Sequence, residues 1–376
     1  MLLDSIFSKR VLVRFDFNVP MHDGKIVNDF RIRQSVETIQ KLLQNKNKII
    51  IVSHLGRPKE GVYNESLSLR PISKYLSILL NQEIEFIKSY ENKISFDKYD
   101  IAMLENVRFN VGEKSCSQEL SKSYASLADC FVFDAFGVSH RKESTTFGVS
   151  EYLDTYSGLN IQHEISTINR LINENSRPMT IIISGAKVST KLVVIKKLLN
   201  KCDFMILGGG ILNTFLKAKG NEIGNSLYEK DLLEEAKNIL NSKLSSKIIF
   251  PKDLSCTSNS KIENIEVNNI CSDDIIYDLG EKSIEYIKEI VNKSSSIFWN
   301  GPLGYVEKVP FNKGTIELAK TIAKHKCFSI VGGGDTLPII EDLNLQNQYS
   351  CLSTGGGSLL TYLEGGSLPI LDKLNL

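Results

Sequence analysis

The sequence predicts an α/β protein with two doubly wound parallel-sheet domains joined by a hinge helix. The chain has 376 residues, which exceeds the length at which a single hydrophobic core usually keeps growing, so two domains are expected. Short apolar runs alternate with helical patterns along the chain, as they do in repeated β-α-β units with parallel sheets. Many of these runs are rich in Ile, Val and Phe without polar alternation, as in strands that are covered on both faces. Together these patterns favour Rossmann-like domains.

The predicted elements follow from these runs and from the period of the apolar residues between them. The expected strands are Arg10–Phe15, Lys48–Ser53, Ile101–Leu104, Cys130–Asp134, Thr180–Ser184, Phe204–Leu207, Lys247–Phe250, Ser296–Trp299 and Phe328–Val331. The expected helices are Ile32–Gln44, Leu69–Leu80, Ser117–Leu127, Lys191–Leu199, Leu232–Asn241, Lys282–Val291 and Gly314–Lys324. Residues 155–175 read as one long helix with no strand on either side, and we expect this segment to join the domains.

Composition and charge exclude several classes of protein. The formal net charge is +1, so no overall field favours nucleic acid or an anionic membrane as a partner. No apolar stretch is long enough to span a bilayer, and the N-terminal residues MLLDSIFSKR lack the apolar length of a secretory signal. The seven cysteines are scattered without a CxxC spacing, which predicts a cytoplasmic protein with buried thiols. The five histidines form no HxxxH or HExxH motif, so a zinc site is not expected.

Arginine and glycine are distributed unevenly between the two halves of the chain. All ten arginines lie at or before Arg177, whereas every Gly-Gly-Gly lies in the second half, at residues 208–210, 332–334 and 355–357. The planar guanidinium suits capture of carboxylate or phosphate, and glycine at a strand end lets backbone N–H groups approach a nucleotide phosphate. The asymmetry therefore predicts a small acid as the ligand of the first half and a nucleotide as that of the second. The alternative is drift in the use of arginine and lysine.

Polar residues follow the predicted strands of the first half, where an open α/β sheet binds its ligands. They are Asp16, Asn18, His54, Arg57, Arg108, His140 and Arg141, and Arg31 stands at an expected helix start. A single arginine of this kind is more often part of a surface salt bridge. Four arginines at one sheet edge instead predict an anion with more than one negative group, because unpaired like charges repel one another.

The strand ends of the second half have different residue types. They comprise Lys187 and Lys191 after SGA, the glycines 208–210, Trp299 to Pro302 with Glu307 shortly after, and the run GGGDT at 332–336. Backbone amides and Thr336 can hold phosphate, and Asp335 can hold Mg²⁺ together with phosphate oxygens. The signature G-x-x-x-x-G-K-[ST] is absent. The alternatives are tight βα turns for the glycine clusters and a solvated helix face for the two lysines, which we place on one side of a helix.

These motifs occur in an unbroken order, as RVLVRFDFNVP, SHLGRP, LENVRF, DAFGVSHR, SGAKVSTK, LGGGILNTFL, WNGPLGYVE, GGGDT, and STGGG followed by LEGGSLP. By them the chain resembles the phosphoglycerate kinase family over nearly its full length. The resemblance implies a 3-phosphoglycerate-binding domain over residues 1–156, an interdomain helix over 157–175 and a nucleotide-binding domain over 176–357. It also implies that a C-terminal tail, residues 358–376, returns to the first domain.

The resemblance further implies a reaction and the residues that perform it. The reaction is reversible phosphoryl transfer between ATP and the carboxylate of 3-phosphoglycerate, with Mg²⁺ as cofactor and with ADP and 1,3-bisphosphoglycerate as products. The implied catalytic residues are Arg31 and Lys187. The implied substrate-binding residues are Asp16, Phe17, Asn18, Arg31, His54, Leu55, Gly56, Arg57, Arg108 and Arg141. The implied nucleotide-binding residues are Gly185, Lys191, Gly208, Gly209, Ile276, Asn300, Glu307, Gly333, Gly334, Asp335 and Thr336, with Asp335 as the metal ligand. Family habit predicts a monomer.

Several positions depart from the family's usual pattern. Thr190 stands where the family usually has Asp, Ile276 where a glycine commonly faces the adenine, Cys351 where His is usual, and Phe133 where Asn is usual. These departures leave a weakened nucleotide- or metabolite-binding protein of the same family as an alternative, and a kinase for another phosphorylated acid as a third reading. The presence of Arg31, Lys187 and Asp335 favours an active enzyme.

Overall fold

The computed structural model describes residues 3–92, 94–173, 176–258 and 261–376. The chain divides into two compact units, the first formed by Met1–Ser166 with Gly366–Leu376 and the second by Thr167–Gly365. The boundary at residue 166 falls within a helix, Leu159–Asn173. No helix of the described ranges is both long enough and apolar enough to cross a membrane.

The first unit contains one large parallel sheet. Its strands are β1 Arg10–Phe15, β2 Met21–His22, β3 Lys25–Ile26, β4 Lys48–Val52, β5 Ile84–Ile87, β6 Ile101–Leu104, β7 Cys130–Asp134 and β8 Thr155–Ser157. Its helices are α1 Phe30–Gln44, α2 Arg70–Leu80 and α3 Gln118–Ala125, followed by α4 Leu159–Asn173, which extends into the second unit. The sheet order is β5-β6-β4-β1-β7-β8, and β2 and β3 form a separate small hairpin. Because the chain moves outward from β1 in both directions, the first unit is doubly wound.

The core of the first unit explains why its strands lack polar alternation. Residues 11–15 of β1 and 101–104 of β6 are all buried. Val11 and Val13 belong to one hydrophobic cluster with residues of α1 such as Ile39 and Leu42. Such a sheet, with both faces covered, requires strands that are apolar at every position.

The predicted helix over residues 155–175 is wrong at its start. Thr155–Ser157 form β8, which pairs with β7 in parallel, and α4 begins only at Leu159. The start is fixed by a distant carboxylate: Asp134 accepts a hydrogen bond from the N–H of Ile161 at 2.8 Å and another from Thr38 Oγ1 at 2.6 Å. A Cβ at Gly158 would lie 2.2 Å from the Asp134 carboxyl carbon. These contacts join residues far apart in the sequence, so local periodicity does not reveal them.

The second unit contains a parallel sheet and a smaller antiparallel one. Its strands are β9 Met179–Ser184, β10 Phe204–Gly208, β11 Ile248–Ile249, β12 Asp253–Ser258, β13 Lys261–Glu266, β14 Ile275–Leu279, β15 Ser296–Asn300, β16 Phe328–Gly332 and β17 Cys351–Ser353. Its helices are α5 Leu192–Leu199, α6 Gly209–Lys219, α7 Leu233–Leu240, α8 Glu281–Lys293, α9 Lys313–His325, α10 Leu337–Asp342 and α11 Gly357–Leu363. The parallel sheet has the order β11-β10-β9-β15-β16-β17, and β13-β12-β14 form the antiparallel sheet.

Two six-stranded parallel sheets confirm the predicted α/β fold class. The last helix, α12 Pro369–Leu374, belongs to the first unit, where Lys373 Nζ lies 2.7 Å from a carboxylate oxygen of Glu151. The antiparallel sheet was not predicted, because β13 is exposed along most of its length and its Lys, Glu and Asn residues give no apolar run.

Candidate functional site

The polar residues predicted at the edge of the first sheet do follow adjacent strands. The order β6-β4-β1-β7 places the carboxyl ends of these four strands side by side. Asp16 follows β1, His54 follows β4, Arg108 follows β6 and Arg141 follows β7. Arg31 is the second residue of α1. Ligands of open α/β sheets bind at this edge.

Asp16 is the acidic centre of this edge. It is buried, its Oδ2 forms an ion pair with Arg31, and its Oδ1 lies 3.7 Å from His54 Nδ1. Burial tends to raise the pKa of Asp16, but neighbouring positive charges, that of Arg31 first, outweigh it and hold the pKa below its usual value. The aspartate is therefore ionised and fixes the guanidinium of Arg31.

A network of hydrogen bonds orders the loops around Asp16. Ser53 Oγ donates to the carbonyl of Phe15 at 2.9 Å and accepts from the N–H of Phe17 at 2.8 Å. Asn18 Oδ1 accepts from the N–H of Gly56 at 2.8 Å. Gly56 has a φ of +62°, which a residue with a side chain adopts only at a cost. Phe17 and Leu55 are buried, so these two members of the predicted site support the loops through packing.

Two arginines share one carboxylate on the other side of the edge. Glu143 Oε1 lies 3.3 Å from Arg108 Nη2 and 3.5 Å from Arg141 Nη1, while Arg108 Nη1 donates to the carbonyl of Gly56 at 2.8 Å. The Nε of Arg108 is buried and has no partner in the described ranges. Arg57 is exposed and has no carboxylate within ion-pair distance among the described residues. The edge therefore has more positive than negative charge, as a site for a polyanion requires.

Arg14 is a fifth arginine of this region, and sequence reasoning missed it. It lies in β1 with no exposed surface, and its Nη2 is 3.1 Å from His54 Nδ1. Its signal in the sequence was the presence of a charged residue inside the apolar run RVLVRF. The apolar run predicts only a strand at that position. Glu143 was also missed, because an acid does not fit the pattern of an anion site.

The lysines of the second unit do not share a helix face, so that expectation is wrong. The helix α5 begins at Leu192, and both Lys187 and Lys191 precede it. Lys187 is exposed in the loop that follows β9. Glu229 holds this loop, because its two carboxylate oxygens accept from the N–H of Ser189 at 2.8 Å and from Ser189 Oγ at 2.7 Å. The loop thus presents Lys187 to solvent in a fixed backbone frame.

Lys191 is turned inward. Its Nζ donates to Asn300 Oδ1 at 2.6 Å and to the carbonyl of Ser184 at 2.5 Å. Burial lowers the pKa of Lys191 to about 8, against a smaller opposite effect of Asp335. Lys191 and Asn300, both predicted nucleotide-binding residues, therefore contact each other.

The glycine cluster at 208–210 has a structural explanation. A Cβ at Gly209 would lie 2.8 Å from the carbonyl oxygen of Gly185, and one at Gly210 would lie 2.3 Å from that of Ala186. Gly208 ends β10 and Gly209 begins α6 with a φ of +60°. These glycines let the start of α6 approach the loop that bears Lys187, as the tight-turn alternative requires. The contact of Gly208 and Gly209 with a nucleotide stays a prediction.

The loop after β16 differs, because it is open. A Cβ at Gly334 would meet no atom within 4 Å, and Gly333 has a φ of +119°. Thr336 is buried, and its Oγ1 has no hydrogen-bond partner in the described part of the chain. A polar atom left unpaired in this way is expected to bind a ligand or water. This loop therefore fits phosphate better than the cluster at 208–210 does.

The donor set around Asp335 fits a magnesium ion that is shared with a nucleotide. Asp335 is exposed, and the described residues contain no group of three or more His, Cys, Asp or Glu that could hold a metal by themselves. Mg²⁺ is usually bound through one or two carboxylates together with substrate phosphates. Glu307 is also exposed, in the turn after β15. A single carboxylate in the open loop of residues 333–336 matches that mode of binding.

Ile276 lies in a small pocket at the start of α6. This pocket has a cavity volume of only about 20 Å³ and is lined by Gly209, Leu212, Asn213, Ile276, Tyr277, Asp278, Leu279 and Leu303. Asn213 is buried, its Nδ2 donates to the carbonyl of Leu227 at 3.0 Å, and its Oδ1 has no partner in the described ranges. Sequence reasoning missed Asn213, because α6 was not among the predicted helices.

Comparisons with known proteins agree over almost the whole chain. A family model described as phosphoglycerate kinase matches residues 4–366. The phosphoglycerate kinase of Francisella tularensis subsp. holarctica is 42% identical over 373 residues, which cover 97% of this chain and 95% of the relative. That of Francisella philomiragia is 42% identical over 376 residues, which cover 98% and 95%.

Solved structures give the same result. The structure of phosphoglycerate kinase from Coxiella burnetii has a TM-score of 0.87 and 37% identity, and covers 100% of this chain and 98% of that one. The structure of phosphoglycerate kinase from Pyrococcus horikoshii OT3 has a TM-score of 0.87 and 29% identity. It also covers 100% of this chain and 98% of that one. From the family match, the identity of its relatives and these structures, the chain belongs to the phosphoglycerate kinase family.

Proposed function

We propose that the chain is an active phosphoglycerate kinase, which transfers a phosphoryl group reversibly between ATP and the carboxylate of 3-phosphoglycerate and forms 1,3-bisphosphoglycerate and ADP. The observation that supports this most strongly is the surplus of positive charge at the edge of the first sheet, where four arginines, Arg31, Arg57, Arg108 and Arg141, accompany the carboxylates of Asp16 and Glu143. A substrate with a phosphate and a carboxylate would balance that charge. The curated relatives are named phosphoglycerate kinase, after this activity.

The first unit is proposed to bind 3-phosphoglycerate. Arg108 and Arg141 share Glu143, so each retains donors for an anion, and Arg57 is exposed. Asp16 forms an ion pair with Arg31, and the side chain of Arg31 keeps 27% of its surface exposed. These arginines would hold the phosphate and the carboxylate by charge-assisted hydrogen bonds.

The second unit is proposed to bind the nucleotide with Mg²⁺. The open loop of Gly333, Gly334 and Thr336 would hold phosphate oxygens, and Asp335 would bind the metal. The surface around the small pocket that Ile276 lines would contact the base, and Glu307 would contact the ribose. When bound near Asp335, Mg²⁺ would supply positive charge that offsets the charge of the phosphates.

The chemistry needs positive charge more than it needs a base. An ionised carboxylate is already a nucleophile, so one of its oxygens can attack the γ-phosphorus as the bond to the ADP oxygen breaks. The charge that spreads over the transferred group must be met by cations that are already in position. Lys187, which is exposed on a loop that Glu229 holds at Ser189, is proposed as one of them and Arg31 as another.

A coupled assay tests the proposal. The purified chain is supplied with Mg²⁺, 3-phosphoglycerate and either ATP or GTP, and formation of the nucleoside diphosphate is followed. We expect turnover that requires both 3-phosphoglycerate and Mg²⁺. A preparation that binds both substrates without turnover would reject the proposal and favour a binding protein. The exposed lysine Lys243 provides a control, since Lys243→Ala should leave turnover unchanged.

The cellular location and the oligomeric state of the protein remain predictions. The described cysteines are all free thiols, and Cys271 alone among them is exposed, as a reducing compartment would allow. We therefore propose a cytoplasmic location, and a monomer as the working state. Sedimentation of the purified chain tests the second point.

A further inference from the structure

Arg14 occupies an unusual position for a charged residue. It is fully buried in β1, and in the described ranges it has no carboxylate within ion-pair distance. Its Nη1 donates to the carbonyl of Phe15 and lies 3.4 Å from Ser53 Oγ, its Nη2 lies 3.1 Å from His54 Nδ1, and its Nε is unpaired. A buried arginine without a paired acid is costly, so its contact with His54 calls for an explanation.

The contact defines which nitrogen of His54 has a proton. A guanidinium can only donate hydrogen bonds, so Nδ1 of His54 must accept one. A proton on Nδ1 would place two donors against each other at 3.1 Å. The ring must therefore be neutral, with its single proton on Nε2.

The surroundings of the ring favour the same state. His54 is 1% exposed, and burial lowers the pKa of His54 to about 3. Asp16 opposes this change, whereas the positive charges of Arg14, Arg141 and Arg31 add to it. The imidazole is therefore uncharged throughout the physiological range of pH.

The other ring nitrogen is open. Nε2 makes no hydrogen bond with any described residue, and it is not among the polar atoms that are both fully buried and unpaired. A neutral N–H of this kind is a directional donor for a phosphate or carboxylate oxygen. It differs from the surrounding arginines, which attract an anion by charge at longer range.

We propose that Arg14 is a positioning residue, which holds His54 as the neutral imidazole with its proton on Nε2, so that His54 binds the anionic substrate as an uncharged hydrogen-bond donor. The second half of this statement rests on the proposed 3-phosphoglycerate site. The first half does not depend on any substrate. The competing view is that Arg14 and His54 both act as positive charges in the site.

Nitrogen NMR of the intact protein tests the first half directly. The chain has five histidines, so a sample labelled with ¹⁵N-histidine gives few ring signals, and the variant His54→Gln identifies those of His54. Two-bond correlations between ring protons and nitrogens distinguish the two neutral tautomers. We expect the Nε2–H pattern for His54, unchanged between pH 8 and pH 5. An Nδ1–H pattern, or protonation of the ring within that range, would overturn the proposal even if the enzyme were active.

The variant Arg14→Met tests the cause. We expect the Nε2–H pattern to be lost or mixed with the other tautomer, and the KM for 3-phosphoglycerate to rise about ten-fold because one oriented donor is lost, with little change in the KM for ATP. Persistence of the Nε2–H pattern would show that Arg14 does not set the tautomer. Arg33→Met is the matched control, because Arg33 instead contacts Asp29 and Tyr75 and should leave the His54 signals unchanged.

Substitutions of His54 separate a donor from a charge, and they decide the question if Arg14→Met does not fold. Glutamine can place an amide N–H near the position of Nε2, whereas leucine cannot. We expect His54→Gln to raise the KM for 3-phosphoglycerate about three-fold and His54→Leu about ten-fold or more. Equal effects of the two variants would indicate that a positive charge, absent from both, was the contribution of His54.

Discussion

Lys191 Nζ lies 2.6 Å from Asn300 Oδ1 and donates also to the carbonyl of Ser184. The amine is thus held by groups of its own unit, at the start of α5 and the end of β15. An ammonium in this position is largely removed from water, which is why burial lowers the pKa of Lys191 to about 8. This arrangement makes the charge of a predicted phosphate-binding residue sensitive to pH.

The first prediction concerns that sensitivity. The folded pKa of Lys191 is below its ordinary value, so the residue loses its charge as pH rises through about 8. We expect kcat/KM for ATP, which reports the free enzyme, to fall above pH 8. In Lys191→Arg the guanidinium remains charged, so the fall should disappear. Identical pH profiles for the two proteins would assign the fall to another group.

The second prediction concerns Lys187, the exposed lysine of the same loop. If it meets charge that develops only in the transition state, Lys187→Ala should lower kcat by about 10²–10³ with little change in the KM for 3-phosphoglycerate. Steady-state kinetics measure both, with Lys243→Ala as the control. Unchanged turnover would reject the role of Lys187.

The third prediction concerns Thr190, which replaces the acid that is usual in the family. Its Oγ1 donates to the carbonyl of Lys187 at 3.0 Å, and the residue is exposed. Thr190→Asp adds a carboxylate to the loop, and we expect the KM for MgATP to fall several-fold because an additional anion can bind the metal or its waters. Thr190→Asn controls for size and hydrogen bonding. An equal change in both variants would exclude charge as the cause.

The fourth prediction concerns Ile276. Its side chain is 8% exposed and lines the small pocket beside Gly209, at the start of α6. Ile276→Gly should enlarge that pocket and change the ratio of kcat/KM for ATP to that for GTP, as the coupled assay measures. Ile262→Gly, on the exposed strand β13 of the same antiparallel sheet, should keep the wild-type ratio. An unchanged ratio in Ile276→Gly would show that this pocket does not select the base.

The sequence was most informative where one local cause determines the structure. Strands covered on both faces must be apolar at every position, and so the bounds of β1, β6 and β7 were predicted correctly. The order of strands in a doubly wound sheet then brings their carboxyl ends together, so the positions of Asp16, His54 and Arg108 followed from general rules.

Other features depend on contacts between distant parts of the chain. The side chain of Arg14 lies inside because His54, forty residues later, accepts its hydrogen bond. Lys187 and Lys191 precede α5 because Glu229 holds Ser189 in the loop. The glycines at 208–210 have the composition of a phosphate site, but the carbonyls of Gly185 and Ala186 account for two of them. Such pairs become visible only when the chain is folded.

The buried carboxylate of Asp134 joins three elements, through Thr38 of α1, its own strand β7 and the first turn of α4. If these groups separated while Asp134 stayed buried, its carboxylate would be left without hydrogen-bond partners, which is costly. The first turn of α4 should therefore open together with the sheet of the first unit. Hydrogen–deuterium exchange would then give the amide of Ile161 a protection factor close to those of β7, whereas a helix that frayed on its own would exchange this amide much sooner.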